Sequence, residues 1–167
     1  MMDEKNTVLT GPAGRIIAAC GNDCSACPRY TAAPYEKTEE ELRHTAELWM
    51  KIGYRDHVVS AEEISCKGCS TDNWCRYHVV KCCTEKEITN CAECSAYPCG
   101  NLKDCFAVTA SFEPDCRKAC TKEEYEEIRK AFFEKEKNLD EIRKKAGGKN
   151  DTDQDQRTDD YLSGEFP

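Results

Sequence analysis

Residues 66–99 open on Cys66-Lys67-Gly68-Cys69 and pass through Cys75-Arg76-Tyr77-His78 and Lys81-Cys82-Cys83. They close on Asn90-Cys91-Ala92-Glu93-Cys94-Ser95-Ala96-Tyr97-Pro98-Cys99. Eight of the chain's 14 cysteines lie in this stretch. Three more sit upstream in Cys20-Gly21-Asn22-Asp23-Cys24-Ser25-Ala26-Cys27-Pro28, where glycine permits a tight backbone and proline ends any continuation, so several sulfurs can converge. These cysteines decide the fold because little else can. Leu, Ile, Val and Phe number 24 of 167 residues, below the ~20% under which a charged chain is expected to stay unfolded. Apolar burial at roughly 25 cal/mol per Å² does not offset the ordering entropy of such a chain. Cysteine cross-linking must supply the rest.

The compartment separates disulfides from metal. The chain begins Met1-Met2-Asp3-Glu4-Lys5, with no basic n-region and no signal-length apolar run. No stretch approaches the ~18 apolar residues of a membrane span. These features predict a cytoplasmic protein without a membrane partner, and in that reducing pool cysteine pairs are expected as metal ligands. A net charge of −8 argues against nucleic acid as partner, and thiolates bound to metal add further negative charge.

Zinc takes four tetrahedral Cys or His ligands, and two ligands spaced by two residues face one ion from a single turn. Four pairs have that spacing: Cys24/Cys27, Cys66/Cys69, Cys75/His78 and Cys91/Cys94. They supply two full sites. Cys20, Cys82 and Cys99 lie beside the pairs and, with Cys83, provide for a third; sequential and cross-braced pairings are equally compatible with the spacing. Cys83, Cys105, Cys116 and Cys120 read as small buried hydrophobes. Trp49 reads as core, and His44 and His57 as solvated or hydrogen-bonded residues. The expected ligands are therefore Cys20, Cys24, Cys27, Cys66, Cys69, Cys75, His78, Cys82, Cys91, Cys94 and Cys99.

Helices fill the intervening chain. Thr38 and Glu41 form a capping box, and Leu42, Ala46, Trp49 and Met50 follow helical spacing, which predicts a helix over 39–52 stopped by Gly53. Ser60 caps a short turn leading to Cys66. Short helices are expected at 77–87 and 99–109. Thr121 and Glu124 repeat the capping box ahead of Tyr125, Ile128, Phe132, Leu139 and Ile142, predicting one long helix over 122–145, with Asn138 a candidate break. The run Arg15-Ile16-Ile17-Ala18-Ala19 fits one strand or a buried lead-in. No useful internal repeat stands out. The expected layout is a flexible lead-in over 1–14, one cysteine-rich domain over 15–146, and a disordered acidic tail over 147–167. The fold class is mostly α, a small metal-stapled domain with zinc-knuckle-like loops and a long C-terminal helix.

Enzymatic motifs are missing from the sequence: there is no P-loop, G-x-G-x-x-G, nucleophile elbow or H-E-x-x-H. A cysteine-saturated site reads as closed and structural, so the reading leans away from an enzyme. Cys20-x3-Cys24-x2-Cys27 has the spacing of a radical S-adenosylmethionine triad. That chemistry needs a large α/β barrel, and this chain is too short for one and lacks the strand–helix alternation.

The ordered set Cys20-Gly21-Asn22-Asp23-Cys24-Ser25-Ala26-Cys27, the 41–49 helix, Ile64-Ser65-Cys66-Lys67-Gly68-Cys69, Lys81-Cys82 and Asn90-Cys91-Ala92-Glu93-Cys94-Ser95-Ala96-Tyr97-Pro98-Cys99 resembles a bacterial and archaeal family, the domain of unknown function numbered 3795. The resemblance covers residues 20–103 and implies a small zinc-binding module of no known activity. His78 stands where that family has cysteine, the Ser70-Thr71-Asp72-Asn73-Trp74 segment is shorter, and Cys83, Cys105, Cys116 and Cys120 are additions. The expected function is a protein with a structural core of two or more zinc ions, serving as a binding or scaffolding module for a protein partner. The alternative is an iron–sulfur or thiol redox protein that transfers electrons or sulfur.

Overall fold

The computed structural model describes residues 14–73 and 75–147. The expected lead-in and acidic tail lie outside these, save Gly14 and Gly147, as does Trp74. Helix α1, Glu39–Lys51, starts where the capping box predicts: Glu41 N–H donates to Thr38 Oγ1 at 3.1 Å, and Thr38 N–H to Glu41 Oε2 at 2.7 Å. Gly53, at φ 86°, turns the chain out of the helix. Ser60 caps α2, Ala61–Ile64. Helix α3, Val79–Glu85, falls within the expected 77–87, and α4, Gly100–Ser111, starts within the expected 99–109 and runs two residues past it.

Helix α5, Glu113–Ala119, is not foreseen by the sequence reading. Only Phe112 separates it from α4, and Pro114 lies in its first turn, where its missing N–H costs nothing. The single long helix expected over 122–145 is corrected to three pieces: α6, Lys122–Ile128; a wide π segment, Arg129–Phe133; and α7, Lys135–Gly147. The break falls at Glu134, φ −112°, not at Asn138. A π turn loosens the regular hydrogen-bond ladder, and the Ala131 carbonyl is taken by the Asp23 N–H at 3.0 Å.

No strand occurs among the described residues. In place of the strand allowed at 15–19, an isolated antiparallel bridge joins Ile17 to Asp23, and a parallel one joins Tyr30 to Cys66. The main apolar core packs α1 and α2 against α5 and α6 through Leu42, Leu48, Trp49, Ile52, Ile64, Cys116 and Ile128. Trp49 is 3% exposed and meets Phe132 edge-on, as a core residue does. Beside it lie two small clusters, Ala19–Val79–Cys83 and Ala92–Leu102–Leu139, which carry the cysteine-rich loops.

The candidate metal centre

Asp23 and Asn90 begin the same structure twice. Asp23 caps a 3-10 turn, Cys24–Ala26, by accepting from Ala26 N–H at 3.3 Å; Asn90 caps another, Cys91–Glu93, by accepting from Ala92 N–H at 2.9 Å. In the first, Cys27 N–H donates to Cys24 O and Tyr30 N–H to Cys27 O, at 3.1 and 3.0 Å. In the second, Cys94 N–H donates to Cys91 O and Tyr97 N–H to Cys94 O, both at 3.1 Å. The residues match too: Asx-Cys-x-x-Cys-x-x-Tyr at 23–30 and at 90–97. The copies are eight residues long and share only Cys, Cys and Tyr outright, so they rise above background only when the backbone bonds are compared.

Each knuckle aims N–H groups at sulfur, as a thiolate acceptor requires. Arg29 and Tyr30 backbone N–H groups serve Cys27, and that of Ala96 serves Cys94. A third such contact runs from Gly68 N–H to Cys66 Sγ at 3.4 Å, with Gly68 at φ 104°, a region open to glycine.

The first knuckle is strapped to the second cysteine pair. Thr31 N–H donates to Cys66 O and Cys66 N–H to Arg29 O, both at 2.8 Å, and Arg29 Nε reaches Ile64 O at 2.8 Å. Cys24, Cys27, Cys66 and Cys69 are thereby electrostatic neighbours. Burial, then the nearby Cys69 and Cys27, pushes the Cys24 thiol far up; burial raises Cys27 to about 11 and Cys69 to about 12. So many crowded sulfurs, half-buried at Cys24, Cys27 and Cys66 and exposed at Cys69, cannot ionise together without a cation among them. Cys20 and Cys75 adjoin this group, facing Lys135 and Cys105.

The second knuckle meets α3. Cys83 Sγ lies 3.8 Å from Cys91 Sγ, Lys86 Nζ donates to Cys94 Sγ at 3.3 Å, and Cys82 and Cys99 neighbour Lys86. A cavity of about 420 Å³ is lined by Cys24 and Cys69 of the first group and by Cys83 of α3.

His78 stands exposed at the N-cap of α3, in the left-handed region at φ 48°, with its carbonyl accepting from Cys82 N–H. His44 and His57 are exposed, beside Glu124 and Asp56. Cys83, Cys105 and Cys116 are buried and Cys120 half-buried. Among the described residues no three His, Cys, Asp or Glu side chains close on one point tightly enough to hold an ion. The thiols are gathered as neighbours, each sulfur swinging on one χ1 torsion. The donor set, thiols in capped knuckles with N–H groups aimed at sulfur, suits a thiophilic ion such as zinc.

The sequence reading missed the residues that hold these loops in place. Lys135, Asn138, Leu139, Ile142 and Arg143 fall at i, i+3, i+4, i+7 and i+8 on α7. Asn138 is 1% exposed; its Nδ2 donates to Gly21 O at 2.9 Å, and its Oδ1 accepts from Arg15 at 3.1 Å. Arg143 donates to Ala92 O and Cys94 O at 2.9 and 3.1 Å. Lys135, 9% exposed, reaches Cys105 Sγ at 3.5 Å and Cys20 Sγ at 3.9 Å. Burial alone would lower its pKa, and those two sulfurs hold it above the ordinary lysine value. The signal available in the sequence was two polar residues, Lys135 and Asn138, on the apolar stripe of a helix.

The fold and its loops define a mostly helical, cysteine-rich domain. A family model described as "Protein of unknown function (DUF3795)" matches residues 16–104, just over half the chain, and the chain belongs to that family. No curated protein and no solved structure matches it. No helix among the described residues is long and apolar enough to cross a membrane.

Proposed function

We propose that this chain is a zinc-binding protein whose ions are structural, serving as a binding or scaffolding module for a protein partner. Cys24, Cys27, Cys66 and Cys69 hold one ion. Cys91, Cys94 and Cys99, with a ligand from the Cys82-Cys83 step of α3, hold another. A third ion would draw on Cys20, Cys75 and His78. The observation that carries the reading is the repeated knuckle: two separate Cys-x-x-Cys turns are each capped by an Asx side chain and share one set of backbone bonds. A cysteine retained only as a small hydrophobe needs neither the cap nor the N–H donors.

Elemental analysis of the anaerobically purified chain tests it. Two or more zinc ions in a colourless protein are expected. A brown protein carrying iron overturns the reading in favour of an iron–sulfur or thiol redox protein.

A further inference from the structure

Helix α3 offers adjacent thiols, Cys82 and Cys83, to the second site, and the two cannot face one point. Successive helical residues lie about 100° apart around the axis. The helix buries Val79 and Cys83, one turn apart, against Ala19. Cys82 shares its face with Lys86, also one turn on, and the Lys86 ammonium, not Cys82, is in hydrogen-bond contact with Cys94 Sγ at 3.3 Å.

The position of Cys91 is set by backbone, independently of any sulfur. Ile88 N–H donates to Cys83 O and Cys91 N–H to Ala19 O, both at 3.0 Å, and Asn90 caps the turn. The result is a Cys83–Cys91 sulfur separation of 3.8 Å. Two thiolates on one tetrahedral zinc, each at about 2.3 Å, lie about 3.8 Å apart.

From this geometry, and resting on the zinc reading above, we infer that Cys83 rather than Cys82 is the α3 ligand of the second site, completing it with Cys91, Cys94 and Cys99. Cys82 then stays a free, half-buried thiol beside the Lys86 ammonium, which serves Cys94 as an outer hydrogen-bond donor. On this assignment the ligand lies one residue beyond the Lys81-Cys82 pair that the resemblance matched.

The test exchanges zinc for ¹¹³Cd in the full wild-type chain and records through-metal scalar couplings to cysteine β-protons. Correlations to the β-protons of Cys83 are expected and none to those of Cys82. Correlations to Cys82, or to neither residue, overturn the assignment. Zinc content of Cys83→Ser and Cys82→Ser gives the second readout: loss of one equivalent in the first only is expected, and equal retention in both, or loss in the second only, overturns it. A wild-type chain that takes up neither metal defeats the zinc reading itself and this assignment with it. That outcome is distinct from a loaded chain with Cys82 as ligand.

Discussion

The core around α1 and the layer formed by residues 16–30 and 65–105 solve the same problem with different material. Around α1, the interior is Leu42, Leu48, Trp49, Ile52, Ile64 and Ile128, large side chains that each remove substantial apolar area from water. In the cysteine layer the two clusters bury Ala19, Val79, Cys83, Ala92, Leu102 and Leu139, mostly small, with partly buried cysteines at their edges. The first region can hold itself by packing. The second also buries Ile17 and Tyr30, but its clusters are smaller, and it borrows hydrogen bonds from α7 and gathers thiols. A chain poor in large apolar residues thus concentrates them in one half and leaves the other to its sulfurs.

Metal removal should break that comparison most. With zinc bound as proposed, chelation removes binding energy of about 10–16 kcal/mol per site. Far-UV circular dichroism should fall after confirmed zinc loss, and amide exchange should accelerate across 20–30 and 64–99 before it does in α1. An unchanged spectrum would falsify the idea that metal closes the layer. The reciprocal experiment is Trp49→Ala. It should destabilise the chain by about 3–5 kcal/mol in urea unfolding, as a deleted core aromatic does, while the zinc content of the folded fraction stays at the wild-type level. Loss of zinc along with stability would show the two regions to be one unit.

The halves differ as much in legibility. Around α1, the capping box and apolar spacing mark the helix to within a residue, because helix start signals and periodicity are local. The pairing of Cys24/Cys27 beside Cys66/Cys69 was not legible: it rests on Cys66 backbone bonds to Arg29 and Thr31, and backbone groups leave no trace in residue identity. Asn138 shows the same limit. As a polar residue in a helical pattern it reads as a break, yet it is buried and bonded to Gly21 O, 117 residues away. The family match ends at residue 104, so the arm that grips both knuckles, with Lys135, Asn138 and Arg143, lies outside the segment where the resemblance is informative.

The join between the arm and the first knuckle gives a third, smaller effect. Gly21 sits at φ 96°, and a Cβ there would lie 2.4 Å from the Lys135 carbonyl oxygen, a backbone atom that cannot swing aside. Gly21→Ala should therefore cost of order 1–3 kcal/mol, combining the left-handed strain with a displaced loop. It should also accelerate exchange at the Asp23 amide, which is bonded to Ala131 O. Wild-type stability in this variant would mean that the loop is not docked on α7 as described.

The smallest effect belongs to the apolar half and is a matter of pH. Glu113, at the start of α5, accepts from the Tyr125 hydroxyl and pairs with Arg117 at 3.2 Å. The Tyr125 bond first, and Arg117 after it, hold its carboxyl below the ordinary glutamate range. A lowered carboxylate pKa stabilises the folded chain at pH values above the unfolded group's pKa, and that contribution disappears as pH falls through the folded value. Glu113→Gln should therefore be modestly less stable than wild type at neutral pH, and the gap should shrink as pH falls below the ordinary glutamate range and vanish once the lowered wild-type carboxylate has protonated. Comparing the two chains at each pH cancels the acid release of the proposed zinc from thiolates, which would be the same in both. If the gap instead widens in acid, the Glu113–Tyr125–Arg117 cluster is not what joins α5 to α6, and the apolar core alone holds them together.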